Sequence, residues 1–214
     1  MKKTVMTVMI LLLASLAGCA GYNTRGAIPV TNRIDDAKLI KAEKDGIAIT
    51  AFPILNEDDA KKYFDENIIS DRMFAVYLSI FNKTSNEVRI VSSELRIGGT
   101  LLQYSTAGEM SNVIRRDYGI RAFFWMFPTY FVGAPISAIH TYSINKEIEA
   151  DMEEKQMEFN KEIKPLEILQ GFVWFKVPKK AAPEYTDKGL PKGTVLKLIL
   201  KQEKRVFECE VPMS

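Results

Sequence analysis

The chain has 214 residues, and the 196 that follow the first 18 are enough to bury one substantial core or two small ones. Its formal net charge is +2, and without Lys2 and Lys3 the 27 acidic side chains are matched by 27 basic ones. A balanced surface of this kind argues against non-specific binding of nucleic acid and against electrostatic docking on anionic lipid, because both depend on clustered Lys and Arg.

The N-terminus has the pattern of a secretory signal peptide. Lys2 and Lys3 form a positive flank, residues 5–16 are almost entirely apolar, and small residues follow at the cleavage position. The apolar run is shorter than the roughly 20 residues that a membrane-spanning helix needs. We therefore predict that residues 1–18 are a signal peptide.

The end of this segment, Leu16-Ala17-Gly18-Cys19, resembles the lipobox of bacterial lipoproteins. The resemblance implies that Cys19 carries diacylglycerol on its sulfur, that cleavage follows Gly18, and that the new amine is acylated. An ordinary signal peptide that happens to contain a cysteine is the alternative. Acyl chains on Cys19 would supply the membrane affinity that a neutral surface lacks, since stable anchoring needs more than one chain.

The residue after the cysteine is Ala20 rather than Asp. In enterobacterial lipoproteins, which have a similar lipobox, this implies sorting to the outer membrane. The expected location is therefore the cell envelope, with the protein lipid-anchored in the outer membrane and facing the periplasm.

Residues 19–44 mix Gly, Asn, Pro and charged residues without a sustained apolar period. This pattern predicts a lipidated tether, in which residues 35–44 could form a short helix leading into the folded domain. The domain itself is expected to span residues 45–214. It opens with residues 47–54, whose β-branched and apolar side chains predict a strand.

A helix is predicted after this first strand. Asn56 precedes three consecutive acids at residues 57–59, and apolar residues follow at Tyr63, Phe64 and Ile68. The Asn56 side chain can accept a hydrogen bond from a backbone N–H at the helix start, and acids favour the positive end of the helix dipole. A cation site is the alternative interpretation of the same acids.

Several β segments follow this helix. Residues 73–81 alternate most clearly of any stretch in the chain, residues 82–86 have the composition of a turn, and residues 88–91 predict a returning strand. The β pattern continues at residues 95–97 and 101–104.

The pattern becomes helical between residues 109 and 164, which we predict to be a helical insertion in the β domain. At its centre, residues 122–145 carry no charge apart from the lone His140. Their length would allow a membrane span, but Pro128 and Pro135 interrupt the run. The run either packs on the domain, binds a partner or enters the membrane. Its aromatic residues form the candidate interaction surface: Phe123, Phe124, Trp125, Phe127, Tyr130 and Phe131.

The second half of the insertion predicts one amphipathic helix over residues 135–164. Apolar residues recur at three-to-four spacing on one face, and the opposite face carries charge, including Asp151 four residues before Lys155. We expect His140 to be a packing residue rather than a metal ligand, because the chain has no second His.

The C-terminal part returns to β structure. Residues 166–177 are apolar on both faces and predict a central strand, residues 179–193 predict a long loop, and residues 194–201 and 205–211 predict a hairpin. Cys209 alternates with apolar neighbours in the last of these strands. We therefore expect its thiol to be buried and, with the other cysteine lipidated, to form no disulfide.

Six to eight short strands with turns between them favour a mainly β fold with a helical insertion at residues 109–164. The expected architecture is an antiparallel β-sandwich, of which the immunoglobulin-like topology is one form. The chain contains no nucleophile elbow, no phosphate-binding glycine loop and no His/Cys metal cluster. We therefore predict no catalytic residue, no cofactor and no metal, and a protein that is not an enzyme.

The layout resembles that of uncharacterised bacterial lipoproteins that combine a β-sandwich with an apolar helical insertion. The lipobox, residues 77–84 and residues 171–178 carry this resemblance, which implies no known activity. The expected function is that of a lipid-anchored protein whose β-sandwich binds or scaffolds an envelope partner. The alternatives are a membrane-inserting or twice-anchored protein that uses residues 122–142 as a hairpin or span, and an unrecognised hydrolase.

Overall fold

One antiparallel sheet, built from strands with alternating or fully apolar burial, forms the frame of the molecule. The computed structural model describes residues 22, 38–97, 99–115, 133–178 and 190–213. Within these residues the chain forms nine strands and three helices, and the expected mainly β fold with a helical insertion is confirmed. The strands are β1 (Ile40–Lys44), β2 (Ile47–Ile54), β3 (Met73–Asn82), β4 (Val88–Ile97), β5 (Thr100–Ser105), β6 (Glu162–Ile163), β7 (Ile168–Lys176), β8 (Val195–Gln202) and β9 (Arg205–Pro212). The helices are α1 (Glu57–Phe64), α2 (Ala107–Ile114) and α3 (Gly133–Lys155).

The sheet is nearly closed on itself. Its strand order is β1-β2-β3-β7-β5-β4-β8-β9, with the short β6 paired to β4 outside this path. The two end strands, β1 and β9, lie close together. Lys44 Nζ donates to the Glu208 carbonyl at 2.6 Å, and Arg205 pairs with Asp45 at 3.3 Å. The buried apolar side chains of the described residues form one core cluster.

The strands β3 and β7 form the centre of the sheet. They pair in register from Met73 opposite Lys176 to Phe81 opposite Ile168. Both faces of β3 are buried along most of its length, and Trp174 in β7 is fully buried. The expected central strand over residues 166–177 is therefore confirmed, since continuous apolar sequence is typical of strands that are covered on both sides.

The chain enters the sheet through a tight hairpin. Asp45 and Gly46, between β1 and β2, both have positive φ angles, of 50° and 78°. Asp-Gly is a favoured pair for a two-residue hairpin turn, in which both positions need positive φ. The expected helix over residues 35–44 is therefore wrong for residues 40–44, which form β1. This strand also lies inside the range 19–44 that was expected to be a tether.

The predicted start of the first helix is confirmed. Asn56 has extended backbone angles, and its side-chain oxygen accepts from the Asp59 N–H at 2.8 Å. Three acids occupy the first turn of α1, where they favour the positive end of the helix dipole. The capping interpretation explains these acids without a cation.

The helical insertion differs from the expected one at its end. Helix α3 was expected to continue to Lys164 but ends at Lys155, after which the Met157 N–H donates to the Phe172 carbonyl at 2.9 Å. The chain then crosses to β4, where the Asn160 N–H donates to the Ile90 carbonyl at 2.8 Å and β6 pairs. The apolar spacing beyond residue 155 reflects contact with the sheet rather than further helix.

This crossing fills a gap in the sheet. Strand β5 pairs with β7 only at two positions near one end, so the remaining edge of β7 is available to the chain that follows α3. Gly171 permits the close approach: a Cβ at this position would lie 2.5 Å from Met157 Cα and 2.6 Å from Met157 N. Both neighbouring atoms belong to the backbone and cannot rotate away.

The final hairpin and the buried cysteine are confirmed. Strands β8 and β9 pair over their whole lengths, with Leu198 opposite Cys209. Cys209 is 2% exposed and is free, and its burial raises the pKa of the thiol. A thiol in such an apolar position acts as a small hydrophobic side chain.

We expect Gly171→Ala to lower the free energy of unfolding by about 1–3 kcal/mol, the usual cost of overpacking a core. Gly108→Ala is the matched control, because Gly108 lies in the first turn of α2 and its nearest contact to a new Cβ is 3.9 Å away. The control should be unchanged or more stable by up to about 1 kcal/mol. Urea unfolding of both variants checks the prediction, and equal stabilities would contradict it.

Candidate functional site

A long-range hydrogen bond joins Tyr22, near the N-terminus, to helix α3. Tyr22 is only 7% exposed, and its hydroxyl donates to Asp151 Oδ2 at 2.5 Å. Tyr22 lies three positions after Cys19, the predicted lipidation site. The folded domain therefore holds a residue close in sequence to the predicted lipid anchor.

Asp151 is also half of a buried ion pair. Lys155, one turn further along α3, donates to the same Asp151 oxygen at 2.6 Å. The Lys155 side chain is 3% exposed and that of Asp151 is 5% exposed. The Lys155 ammonium also donates to the Tyr63 carbonyl at 2.7 Å, at the end of α1. The sequence pattern predicted that this i,i+4 pair lies on a charged outer face, and that expectation is wrong. We call the side chains of Tyr22, Asp151 and Lys155, with the Tyr63 carbonyl, the Tyr22 cluster.

The electrostatics of the Tyr22 cluster depend on mutual hydrogen bonding. Removing a carboxylate or an ammonium from water costs several kcal/mol, which a buried pair offsets only if further hydrogen bonds satisfy both groups. Asp151 Oδ2 accepts two such bonds and the Lys155 ammonium donates two. Burial, together with the hydrogen bond to Asp151 and its charge, raises the pKa of Tyr22 well above its usual range. Tyr22 therefore remains a neutral hydrogen-bond donor at physiological pH.

Aromatic side chains of α1, β7 and β3 pack next to the Tyr22 cluster. The Lys155 ammonium lies 5.9 Å from the centre of the Phe64 ring, and Phe64 packs edge-on against Phe172 of β7 with ring centres 5.0 Å apart. Phe172 also contacts Tyr77 of β3 at 5.6 Å. Burial raises the pKa of Tyr77 to about 12. The cluster thus packs on fully buried aromatic side chains of α1, β3 and β7.

This arrangement is suited to holding chain segments together. The hydrogen bonds of the cluster are made among its own members: Asp151 Oδ2 accepts from both the Tyr22 hydroxyl and the Lys155 ammonium. The two charged side chains have almost no contact with solvent. Bonds to charged partners are stronger than neutral ones, and they gain further in a buried setting. The Tyr22 cluster therefore ties the N-terminal region to α1 and α3.

The residues that the sequence singled out for function lie mostly outside the described residues. Cys19 is among them, as are the six aromatic residues between Phe123 and Phe131. His140 falls in α3, where the structure describes its backbone position only. The acyl site and the aromatic interaction surface thus stay predictions.

The described part of residues 122–142 is the start of α3. Ile139 and Tyr142 are exposed there, at 70% and 59%, while Thr141 between them is buried. Among the residues that the structure describes, no helix has the length and apolarity needed to cross a membrane. The same residues contain no group of three or more His, Cys, Asp or Glu side chains that could hold a metal ion.

Two shallow depressions lie on the described surface. One, of about 440 Å³, lies near the turn after β3 and is lined by Arg89 and Lys201 together with Glu87 and Glu203. The other, of about 290 Å³, lies beside Tyr104 and Phe159, whose rings stack with centres 4.2 Å apart. Neither places a nucleophile beside a base, and the first mixes both charge signs, so neither favours a particular ligand.

Comparison with known proteins gives no further guide to this site. No family model, curated protein or solved structure matches the chain. The function is therefore inferred from the lipobox and from the contacts of the described residues.

The Tyr22 cluster was missed by sequence reasoning for two different reasons. Asp151 and Lys155 have the spacing of an ordinary surface pair, and only the packing of α1 and Tyr22 over them makes the pair buried. Tyr22 is a single aromatic residue in a polar stretch, and its partner is 129 residues away in sequence. The one weak signal for a buried contact was the aromatic side chain of Tyr22, only three residues after the predicted anchor.

We expect Asp151→Asn to lower the free energy of unfolding by about 3–5 kcal/mol, because it leaves the Lys155 ammonium buried without its counter-charge. Glu149→Gln is the matched control on the same helix. Glu149 pairs with Lys146 at 3.6 Å, and both side chains are about half exposed, so the control should change stability by less than about 0.5 kcal/mol. Thermal and urea unfolding measure both variants. Similar losses in the two would contradict the structural role of the Tyr22 cluster.

We also expect the stability to depend on Tyr22 at high pH. The unfolded chain releases the tyrosine proton near pH 10, about the usual tyrosine pKa, whereas the folded protein retains it because the pKa of Tyr22 is raised. The unfolded state then binds fewer protons, so the stability that Tyr22 contributes is complete below about pH 10 and falls as the pH rises further. Unfolding midpoints between about pH 9 and about pH 11 should fall more steeply in the native protein than in Tyr22→Phe. Equal slopes would exclude a buried Tyr22 hydroxyl.

Proposed function

We propose that this chain is a bacterial lipoprotein whose acylated Cys19 holds a β domain at the surface of a cell-envelope membrane. The observation that carries the proposal is the lipobox Leu16-Ala17-Gly18-Cys19, preceded by a basic flank and a short apolar run. Ala20 after the cysteine favours the outer membrane, with the domain in the periplasm. The membrane is thus the first partner, through the acyl chains on Cys19.

Two structural observations and one property of the sequence support this proposal. Tyr22, three residues after Cys19, is buried and donates to Asp151 of α3, so the domain holds a residue close to the proposed anchor. The remaining cysteine, Cys209, is enclosed in the core and does not compete for modification. The charge of the mature chain is balanced, so that acyl chains rather than basic residues would supply the membrane affinity.

The role that we propose for the β domain is to bind or scaffold another envelope component rather than to catalyse a reaction. The sequence contains no nucleophile elbow, phosphate-binding loop or metal-ligand pattern. Its densest group of aromatic side chains lies at residues 123–131, which interrupt the β domain between α2 and α3. Aromatic side chains commonly contribute much of the binding energy of protein interfaces, so this segment is the proposed contact for the partner.

We expect Cys19→Ser to abolish both acylation and membrane association, because the other thiol, Cys209, is enclosed in the core and has no lipobox before it. The test is growth of the source cells with an alkyne analogue of palmitate, followed by detection of the label on the protein and by separation of the membrane fraction. Cys209→Ser is the matched control, which removes the other thiol and should keep the label and the membrane association. Acylation of Cys19→Ser, or no label on the native protein, would refute the proposal.

A further inference from the structure

The chain between the predicted anchor and the first fixed residue is very short. Tyr22 is three peptide units from Cys19, and an extended chain covers at most about 3.6 Å per residue. The Cα of Cys19 therefore lies within about 11 Å of the Cα of Tyr22 in any conformation of the intervening residues. A lipid on Cys19 would therefore hold the domain to the membrane close to Tyr22.

Tyr22 is held in the domain by more than one kind of contact. Its side chain is buried, its hydroxyl donates to Asp151 at 2.5 Å, and Asp151 is in turn fixed by the Lys155 ammonium at 2.6 Å. Lys155 reaches the end of α1 through the Tyr63 carbonyl. Movement of Tyr22 away from α3 would thus expose a buried ring and leave a buried carboxylate with one donor fewer, which is unfavourable on both counts.

We propose that Tyr22 docks the domain directly on the phospholipid headgroup layer, with the end of α1 and the Asp151 turn of α3 facing the bilayer. The effective tether is then residues 19–21, and not the whole range 19–44. The docking requires lipid on Cys19 and therefore rests on the proposed function. It specifies the orientation of the domain on the membrane and its distance from the headgroups, and the Tyr22 side chain determines both.

The Tyr22 contact strongly limits how far the domain can move from the lipid anchor. After Tyr22, the next described residues that contact the domain are Lys38, which pairs with Asp59, and Leu39, which packs on the core. The fully extended length from Cys19 to Lys38 is at most about 68 Å, whereas that from Cys19 to Tyr22 is at most about 11 Å. The Tyr22 contact thus decides whether the domain stays at the headgroups or can move far from them.

The surface next to Tyr22 does not attract lipid by charge. Asp65 and Glu66, at the end of α1, lie close enough that their charges contribute to the raised pKa of Tyr22. Lys61 and Lys62 lie in the last turn of α1, beside these acids, so this end of the helix carries both signs of charge and gives no net attraction to anionic headgroups. The short tether is therefore the cause of the docking, and the docking should be the same on phosphatidylcholine as on an anionic bilayer.

The experiment compares two insertions of the same ten-residue Gly/Ser segment, one after Gly21 and one after Thr31. Both are made in the mature chain, residues 19–214, with Cys209→Ala so that Cys19 is the single thiol. Each protein is coupled through Cys19 to a maleimide phospholipid in a supported phosphatidylcholine bilayer. Neutron reflectometry then measures the distance between the headgroup layer and the centre of the protein layer. Neither insertion changes a residue that the structure describes.

We expect the insertion after Gly21 to move the protein layer outward by about 15–20 Å, the root-mean-square length of ten flexible residues. The same insertion after Thr31 should leave the layer in place, because it lies beyond the Tyr22 contact. Adding Tyr22→Ala to the Thr31 insertion should move the layer outward as well. Equal displacement by the two insertions, or no displacement by either, would overturn the docking.

The two proposals fail in different ways. Chemical coupling of Cys19 does not require that cells acylate it, so the reflectometry reports on the Tyr22 contact alone. A native protein without an acyl label would refute the proposed function even if the insertions behave as expected. A labelled native protein whose two insertions displace the layer equally would keep the proposed function and refute the docking.

Discussion

A single carboxylate oxygen connects three parts of the molecule that are far apart in sequence. Asp151 Oδ2 accepts from Tyr22 and from Lys155, and Lys155 also binds the backbone at the end of α1. Each of these groups would be unfavourable if it were buried alone, because a polar group without a partner keeps the cost of leaving water. Together they form a set in which removal of one member weakens the others. The N-terminal region, α1 and α3 are therefore coupled through one buried atom.

The position of this oxygen follows from the sheet. Strand β5 leaves most of one edge of β7 unpaired, and the chain after Lys155 fills that edge before it continues to β4. The chain makes its close backbone contact at Gly171 directly after α3, and the last two turns of α3 carry Asp151 and Lys155. Aromatic rings on β3, β7 and α1 form the floor of the site. The polar cluster is thus placed by backbone pairing and apolar packing.

The features that could be predicted from the sequence are those that depend on near neighbours. The strand over residues 73–81, the Asn56 cap and the buried Cys209 follow from side-chain period and local hydrogen bonding, and the structure confirms them. The local signal of Asp45-Gly46 was also present, but residues 35–44 were interpreted without it and their end was predicted as helix. Pairing between distant segments left no such signal. The end of α3 and the burial of Asp151 depend on contacts with β7 and with Tyr22, which a periodic pattern does not contain.

The same distinction applies to the tether. Composition describes how freely a chain can move when nothing holds it, and residues 19–44 have the composition of a free linker. The reach of a linker, however, ends at the first residue that the folded domain fixes. A single tyrosine with a buried partner can supply that point without changing the average composition of the segment. Because an extended chain gains only about 3.6 Å per residue, the location of that one contact matters more to the height of the domain than the length of polar sequence beyond it.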